Sequence, residues 1–302
     1  MKHLLKLMDL SKEQIIEILN IADQLKFEQK NGIEHKILSG KTLGMIFSKA
    51  STRTRVSFEV GMYQLGGNAI FLTDSDTQIG RGESIEDTAR VLSRFVDGIM
   101  IRTFKQSDVE NLAKSGTIPI INGLTDYSHP CQVLADLMTI REIKKSFKDL
   151  KLCYIGDGNN MANSLIVGCI KVGMKIAICC PKEYQPDKCL IEWGFRQEKL
   201  EVIDDIKRAV NSSDVLYTDV WASMGQENQR EQRLKAFANF QINKELLSLA
   251  NNDAIVLHCL PAHKGEEITA DVFEKYAPII FEQSENRLHA QKAVLVKVMG
   301  KK

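Results

Sequence analysis

Short apolar, β-rich runs alternate along this chain with longer stretches of helical periodicity. Runs at residues 42–47, 69–72, 98–101 and 117–121 predict four strands in the first half. Runs at 152–155, 175–180, 215–218, 254–257 and 278–281 predict five more in the second. These runs are nearly continuous rather than alternating, as in strands buried on both faces. With helical patterns between them, they predict βαβ units and parallel sheets covered by helices. Ser11 followed by Glu13 and Gln14 marks the start of a first helix. Gly66-Gly67 marks the end of the helix that begins near Ser51. A helix from 132 to about 145, free of Gly and Pro, leads into the hydrophilic SFKDLK. The chain therefore reads as α/β with two domains, the second sheet opening near Lys151. Residues 225–233 are polar throughout and read as an exposed loop. No fixed-period repeat is present.

Composition narrows this picture more than it redraws it. The chain has 302 residues, 44% hydrophobic and 26% charged, which suits about two domains of a globular protein. The formal net charge of +1 gives no global field toward nucleic acid or a membrane surface. Any anion binding must come from local charge. The seven cysteines have irregular spacing and no CxxC pair. They point to free thiols in a reducing cytoplasm, and no metal is expected. The N-terminus lacks the pattern of a signal peptide, and no apolar run approaches the ~18 residues of a membrane span.

Candidate chemistry gathers at strand ends. FSKASTRTRVSFE, residues 47–59, sets Arg53 and Arg55 among Ser51, Thr52, Thr54 and Ser57 where a strand hands over to a helix. The first N–H groups of a helix lack internal partners and its dipole favours negative charge. Arg53 adds a planar fork that matches phosphate oxygens. An ordinary capped helix with solvated arginines is the competing reading. Arg102 follows the strand GIMI, at the carboxyl end where ligands of α/β sheets collect. In HPCQ, His129 can donate to a carbonyl oxygen and Gln132 can accept from an amide, unless both only cap a turn. IGDGNNMANS begins like a dinucleotide fingerprint, but Met161 takes the third glycine position. The same turn could instead present Asn159, Asn160 or Asn163 to a small polar ligand. Asp219, in TDVWASMG, suits a cationic amine or simply caps its own turn. In LHCLPAHKGEEIT, Cys259 is either a nucleophile with His258 or His263 as base, or a buried thiol. Pro261 frees the carbonyls of Cys259 and Leu260 from a regular ladder. Arg287 opens the C-terminal helix ENRLHAQKAVLVKVMG.

STRTR, HPCQ, DVWxSMG and HCLP occur here in one order, with RGESIEDTARVLSR and ENRLHAQKA beside them. In these motifs the chain resembles the aspartate/ornithine carbamoyltransferase family over nearly its whole length, and within it the ornithine-using branch. The resemblance implies two α/β domains joined by long interdomain helices. Residues 1–132 would bind carbamoyl phosphate, 133–283 would bind L-ornithine, and the helix at about 284–302 would pack back on the first domain. Ser51, Thr52, Arg53 and Thr54 would cradle the phosphate, with Arg102 assisting and Arg287 closing that side. His129 and Arg102 would polarise the carbamoyl oxygen, and Gln132 would hold the carbamoyl amide. Gln78 would reach into a neighbouring subunit's site. Asn160, Asp219, Ser223 and Met224 would grip the ornithine head, with Cys259 and Leu260 beside the reacting amine. Catalysis would rest on Arg102, His129, Cys259 and Asp219, without metal or organic cofactor, in a homotrimer that binds neither nucleic acid nor membrane. Ser48, Lys264 and Gln283 depart from residues common in the family and fall outside these contacts. A nicotinamide dehydrogenase and a two-domain binding protein without turnover are the rival readings.

Overall fold

The computed structural model describes residues 1–73, 77, 82–222 and 227–300. They form two compact units, residues 1–138 with 286–302, and residues 139–285.

The first unit begins with a single 3-10 turn, Leu7–Asp9, and α1 (Lys12–Lys30). Ser11 and Gln14 close a capping box at the start of α1, each side chain accepting from the other's backbone N–H. There follow β1 (Thr42–Phe47), α2 (Thr52–Gln64), β2 (Asn68–Thr73), α3 (Ile85–Leu92), β3 (Gly98–Arg102), α4 (Gln106–Ser115), β4 (Ile120–Leu124) and α5 (Pro130–Lys144). The four strands are parallel in the order β2-β1-β3-β4. From β1 the chain turns to β2 on one side, then crosses to β3 on the other. That reversal opens a crevice at the carboxyl ends of β1 and β3. Ile46, Ile99, Ile101 and Ile120 of the strands pack with Val109 and Leu112 of α4 under it.

The second unit contains β5 (Lys151–Ile155), α6 (Asn160–Val172), β6 (Lys175–Cys179), α7 (Lys188–Arg196), β7 (Leu200–Val202), α8 (Ile206–Val210), β8 (Val215–Thr218), α9 (Arg230–Phe237), α10 (Lys244–Leu247) and β9 (Ile255–His258). Its sheet is also parallel, ordered β7-β6-β5-β8-β9. Here the order reverses between β5 and β8, which sets a second crevice beyond their carboxyl ends. α11 (Ala270–Met299) ends the fold; its residues up to 285 belong to the second unit and those from 286 to the first. Among the described residues no helix is long and apolar enough to cross a membrane.

The sequence-based elements need four corrections. The run at 278–281 is not a strand but part of α11, with Pro278 inside the helix. Phe273 and Ile280, seven residues apart on one helical face, are buried in the second unit's core and hold that helix together. β4 starts at Ile120, three residues later than expected, because its register with β3 begins at Ile99↔Ile120. β7, only three residues long at a sheet edge, has too short a run to show in the sequence. The polar stretch 225–233 is not a loop from residue 227 on: Glu227–Gln229 is a 3-10 turn and Arg230 opens α9.

Lys292 of α11 is fully buried in the first unit. Its Nζ donates to Gln29 Oε1 at 2.8 Å and Gln64 Oε1 at 2.9 Å, and lies 3.2 Å from His35 Nε2. Gly61 of α2 allows this approach, since a Cβ there would stand 3.3 Å from Lys292 Cγ. Burial lowers the Lys292 pKa to about 8. The unfolded chain therefore binds the extra proton between pH 8 and the ordinary lysine value of 10.5, and stability from this group rises with pH through that window. Urea melts at pH 7 and pH 10 should show a rise in wild type that Lys292→Met reduces by on the order of 1–3 kcal/mol. Equal pH dependence in the two proteins would contradict the buried-ammonium assignment.

Candidate active site

The first crevice gathers positive charge. Ser51 caps α2, its Oγ accepting from Thr54 N at 3.2 Å, and the first turn carries no acid. The amide end of the helix therefore faces the crevice without a carboxylate to neutralise it. Phe47 pairs in register with Arg102, so Arg102 ends β3 beside the start of that turn. Arg102 is only 8% exposed. Burial, then Arg287 and Arg53, lower its pKa from the ordinary arginine range to about 10. Arg287, buried on α11, donates through Nη2 to Thr54 Oγ1 at 2.9 Å and through Nη1 to Gln132 Oε1. The same Nη1 lies 3.5 Å from His129 Nε2. Burial first, then Arg287, Arg102 and Arg53, hold the His129 pKa well below 6.5. The ring is neutral at pH 7, with one N–H to donate and no charge of its own. Three guanidiniums around a neutral imidazole repel one another and suit a multiply charged anion.

Of the two arginines at the start of α2, Arg53 belongs to this group. Arg55 is exposed, bonds Glu59 at 3.0 Å and covers the Phe71 ring at 3.7 Å. Thr52 is exposed at the same helix start.

The second crevice is acidic and tightly wired. Asp219 follows β8 and accepts from Cys259 Sγ at 3.0 Å, Val220 N at 2.8 Å and Asn159 Nδ2 at 3.0 Å. Asn159 also caps α6, its Oδ1 accepting from Met161 N at 2.8 Å, and Asn163 Oδ1 accepts from Asp187 N at 2.9 Å. The structure thus employs Asn159 and Asn163 internally and sets Asn160 as the first residue of α6. Leu260 has φ of 57° and is followed by a cis bond to Pro261. Its N–H donates to His258 Nδ1 at 2.9 Å, while His258 Nε2 meets Glu267 Oε1 at 3.0 Å. Both ring nitrogens of His258 are occupied, and the Cys259 thiol donates to Asp219 instead. His258 is therefore not the base of a cysteine nucleophile. Gln283 accepts from His258 N at 3.0 Å and donates to the Tyr217 hydroxyl at 3.2 Å, so this departure from the family pattern braces the strand before Cys259.

His263, Glu266 and Glu267 bring ligand-type atoms within 4.8 Å of one another. Glu267 Oε1 meets His258 and accepts from the His263 N–H, and Glu266 pairs with Arg230. The cysteines are all free, and burial pushes the Cys131 thiol up to about 12, as befits a small hydrophobe.

The dehydrogenase reading fails on packing. Gly158 donates to Tyr184 O at 2.8 Å, and a Cβ on it would lie 2.3 Å from Gln185 C and Pro186 N. Residues 184–186 thus fill the space over the glycine turn that a pyrophosphate would need.

Ser51, Thr52, Arg53, Thr54, Arg102, His129, Gln132 and Arg287 all lie in the first unit, and Asn160, Asp219, Cys259 and Leu260 in the second. Gln78, Ser223 and Met224 fall outside the described residues. Sequence reasoning missed Asp157 and Arg233, which form a buried ion pair at 2.8 Å in the second unit. Asp157 sat visibly in the GDG turn, but Arg233 looked like one more charge in a polar run.

Residues 2–142 match the family described as aspartate/ornithine carbamoyltransferase, carbamoyl-P binding domain. Residues 148–298 match its Asp/Orn binding domain. An ornithine carbamoyltransferase of Carboxydothermus hydrogenoformans is 54% identical over 304 residues, covering 98% of this chain and 97% of its own. The solved ornithine carbamoyltransferase of Pyrococcus furiosus is 52% identical and superposes with a TM-score of 0.94, covering 99% of this chain and 97% of its own. The anabolic enzyme structure from Campylobacter jejuni is 42% identical with a TM-score of 0.93, covering 99% of each chain. With two domain models spanning nearly all of its length and relatives above half identity, this chain belongs to the aspartate/ornithine carbamoyltransferase family.

Proposed function

We propose that this protein transfers the carbamoyl group of carbamoyl phosphate to the δ-amine of L-ornithine, giving L-citrulline and phosphate. The observation that carries this reading is the convergence of Arg53, Arg102 and Arg287 on a neutral His129 at the first crevice. There Ser51, Thr52, Arg53 and Thr54 hold the phosphate with Arg102 and Arg287. His129 and Arg102 donate to the carbamoyl oxygen, and Gln132 accepts from the carbamoyl amide. In the second unit Asn160 and Asp219, with Ser223 and Met224, hold the amino-acid head. Cys259 and Leu260 lie by the reacting amine.

The uncharged δ-amine attacks the carbamoyl carbon, its electron pair forming the new C–N bond. The oxygen gains negative charge, and His129, Arg102 and Thr54 stabilise it as preorganised donors. The intermediate collapses by breaking the C–O bond to phosphate; the leaving phosphate carries off that electron pair and takes the proton released by the new ammonium, while the guanidiniums balance its charge. Holding two substrates together supplies ~7–11 kcal/mol of the barrier reduction.

A free alkylamine titrates near pH ~10, so only the minor uncharged form attacks near neutrality. kcat/KM for ornithine should climb by about tenfold per pH unit above neutrality until another step limits. His129 adds no acid limb there, because its pKa already lies well below 6.5. A flat profile between pH 7 and 9 would count against attack by the free amine. Cys259→Ala should lower kcat while leaving carbamoyl phosphate binding intact; unchanged turnover would take the thiol out of the mechanism.

A homotrimer with Gln78 reaching a neighbour's site completes the reading. Exposed apolar side chains on the first unit, among them Val56, Tyr63, Ile70, Val91 and Phe95, support association. Sedimentation equilibrium decides it. The free cysteines support a reducing cytoplasm. The activity test is citrulline formation from carbamoyl phosphate and L-ornithine, beside putrescine, L-aspartate and N-acetyl-L-ornithine. Turnover with ornithine alone is expected; turnover only with another amine would overturn the amine half of the reading.

A further inference from the structure

We infer that Gln106 is a positioning residue for His129: from the first turn of α4, its side-chain oxygen holds the Thr125–Ser128 turn out of which His129 emerges. This rests on the role proposed above for His129 at the carbamoyl oxygen.

Gln106 Oε1 accepts from Thr125 Oγ1 at 2.8 Å and from Ser128 Oγ at 3.2 Å, with Asn122 Nδ2 behind them at 3.3 Å. Asn122 and Thr125 are fully buried, and Ser128 and His129 nearly so. The turn is also closed on itself. Thr125 N donates to Ser128 O at 2.9 Å, and Ser128 N donates to Thr125 Oγ1 at 3.0 Å. Thr125 Oγ1 thus receives a proton from Ser128 and gives its own to Gln106; its other acceptor, Ser128 O, stands farther off at 3.4 Å. Ser128 Oγ likewise accepts from Asn122 Nδ2 at 3.1 Å and donates to Gln106. Both hydroxyls aim their protons at one amide oxygen.

The acceptor end of Gln106 is the part that matters. Its amide approaches Leu5 O at 3.4 Å, but that carbonyl already accepts from Asn122 Nδ2 at 2.8 Å. The same helical turn also reaches the other donor to the carbamoyl oxygen. Asp108 Oδ2 accepts from Thr103 Oγ1 at 3.2 Å, and Thr103 follows Arg102 directly. One turn of α4 is therefore bonded to the neighbours of both Arg102 and His129. Val109 and Leu112 bury that helix in the core beneath the crevice, so the turn is set from a packed element and not from a loop alone.

Without the acceptor, two buried hydroxyls lose their common partner. The internal bonds of the turn remain, as does Asp126 N to Phe104 O at 2.9 Å, and these keep the chain folded there. They do not fix the direction in which His129 leaves the turn. A donor displaced by about 1 Å loses much of its hold on a developing oxyanion. The phosphate cradle, Ser51 to Thr54 on α2 with Arg287 on α11, stands on other elements.

The test compares wild type with Gln106→Met and Gln106→Glu. Methionine removes the acceptor at similar volume. Glutamate keeps it and places its charge at a helix N-terminus, where charge of that sign is favoured. Turnover is measured at saturating ornithine, and binding is measured with inorganic phosphate. The His129 ring, assigned by its absence in His129→Asn, is followed by NMR from about pH 5.5 to 8. Expected in Gln106→Met is a kcat lowered by about tenfold to a hundredfold, with phosphate affinity within about twofold. Gln106→Glu should recover most of the rate. Wild-type His129, buried and faced by Arg287 of α11, Arg102 of β3 and Arg53 of α2, stays neutral throughout. In Gln106→Met the displaced ring gains water, and its titration moves up toward 6.5. Unchanged kcat and unchanged His129 titration in Gln106→Met would overturn the inference. So would equal losses in Gln106→Met and Gln106→Glu, or phosphate affinity falling in step with kcat. If the wild type makes no citrulline, the proposed function fails, while the NMR titration still decides whether Gln106 positions His129.

Discussion

Replacing Arg102 with methionine should lower kcat/KM for carbamoyl phosphate by about 10³ and at the same time make the protein more stable. Both effects come from one fact: the charges that perturb Arg102 are themselves guanidiniums, Arg287 and Arg53. In the free protein a buried cation is held against two like charges, which opposes folding. Methionine fills a similar volume without the repulsion, and a rise in thermal midpoint of about 2–4 °C is expected for a chain this long. With substrate present the same charge becomes the asset, since the anion offsets all three guanidiniums. Carbamoyl phosphate should accordingly raise the wild-type midpoint much more than the variant's. Calorimetry with and without ligand, next to steady-state kinetics, checks this. A loss under about tenfold would remove Arg102 from the anion cradle.

The second large effect is expected at Asp219. Asp219→Asn keeps the shape and removes the negative charge that accepts from Cys259, Val220 and Asn159. A charged acceptor for an ammonium is roughly twice as strong as a neutral one, so kcat/KM for ornithine should fall by about 10²-fold. Carbamoyl phosphate affinity should stay within about twofold, because Asp219 lies in the other unit. Isothermal titration with carbamoyl phosphate alone separates the two halves. Equal losses for both substrates would mean that Asp219 supports the fold rather than the amine.

The strands were legible wherever an apolar run was long enough to be buried on both faces, as in 98–102 and 215–218. They were illegible where tertiary contacts decide. The Ile279-Ile280 pair has strand character, yet Ile280 joins the second unit's core from a helix, in the same cluster as Phe273 of α11. Arg233 reads as a solvated charge until Asp157, 76 residues away, is brought against it. The site residues were legible one turn at a time, because a helix start or a strand end advertises itself locally. Their combination was legible only through the family resemblance, not through the local pattern. Arg53, Arg102 and Arg287 come from α2, β3 and α11, and only the sheet order β2-β1-β3-β4 with the return of residues 286–302 makes them neighbours. The neutral state of His129 was equally hidden, since it follows from that assembly and from burial.

Two helices, α5 and α11, each begin in one unit and end in the other, and Arg287 lies just past the second crossing. A fragment ending at residue 138 would therefore lack the guanidinium that bonds Thr54 and Gln132, and the lysine buried against Gln29 and Gln64. For anyone building chimeras, the portable module is the internal one, residues 139–285, grafted through two helical splices. Each splice must preserve helical phase, because one inserted or deleted residue rotates everything beyond it by ~100° about the helix axis. A single-codon slip near residue 285 would turn Arg287 away from its partners while leaving every residue of the amine module intact.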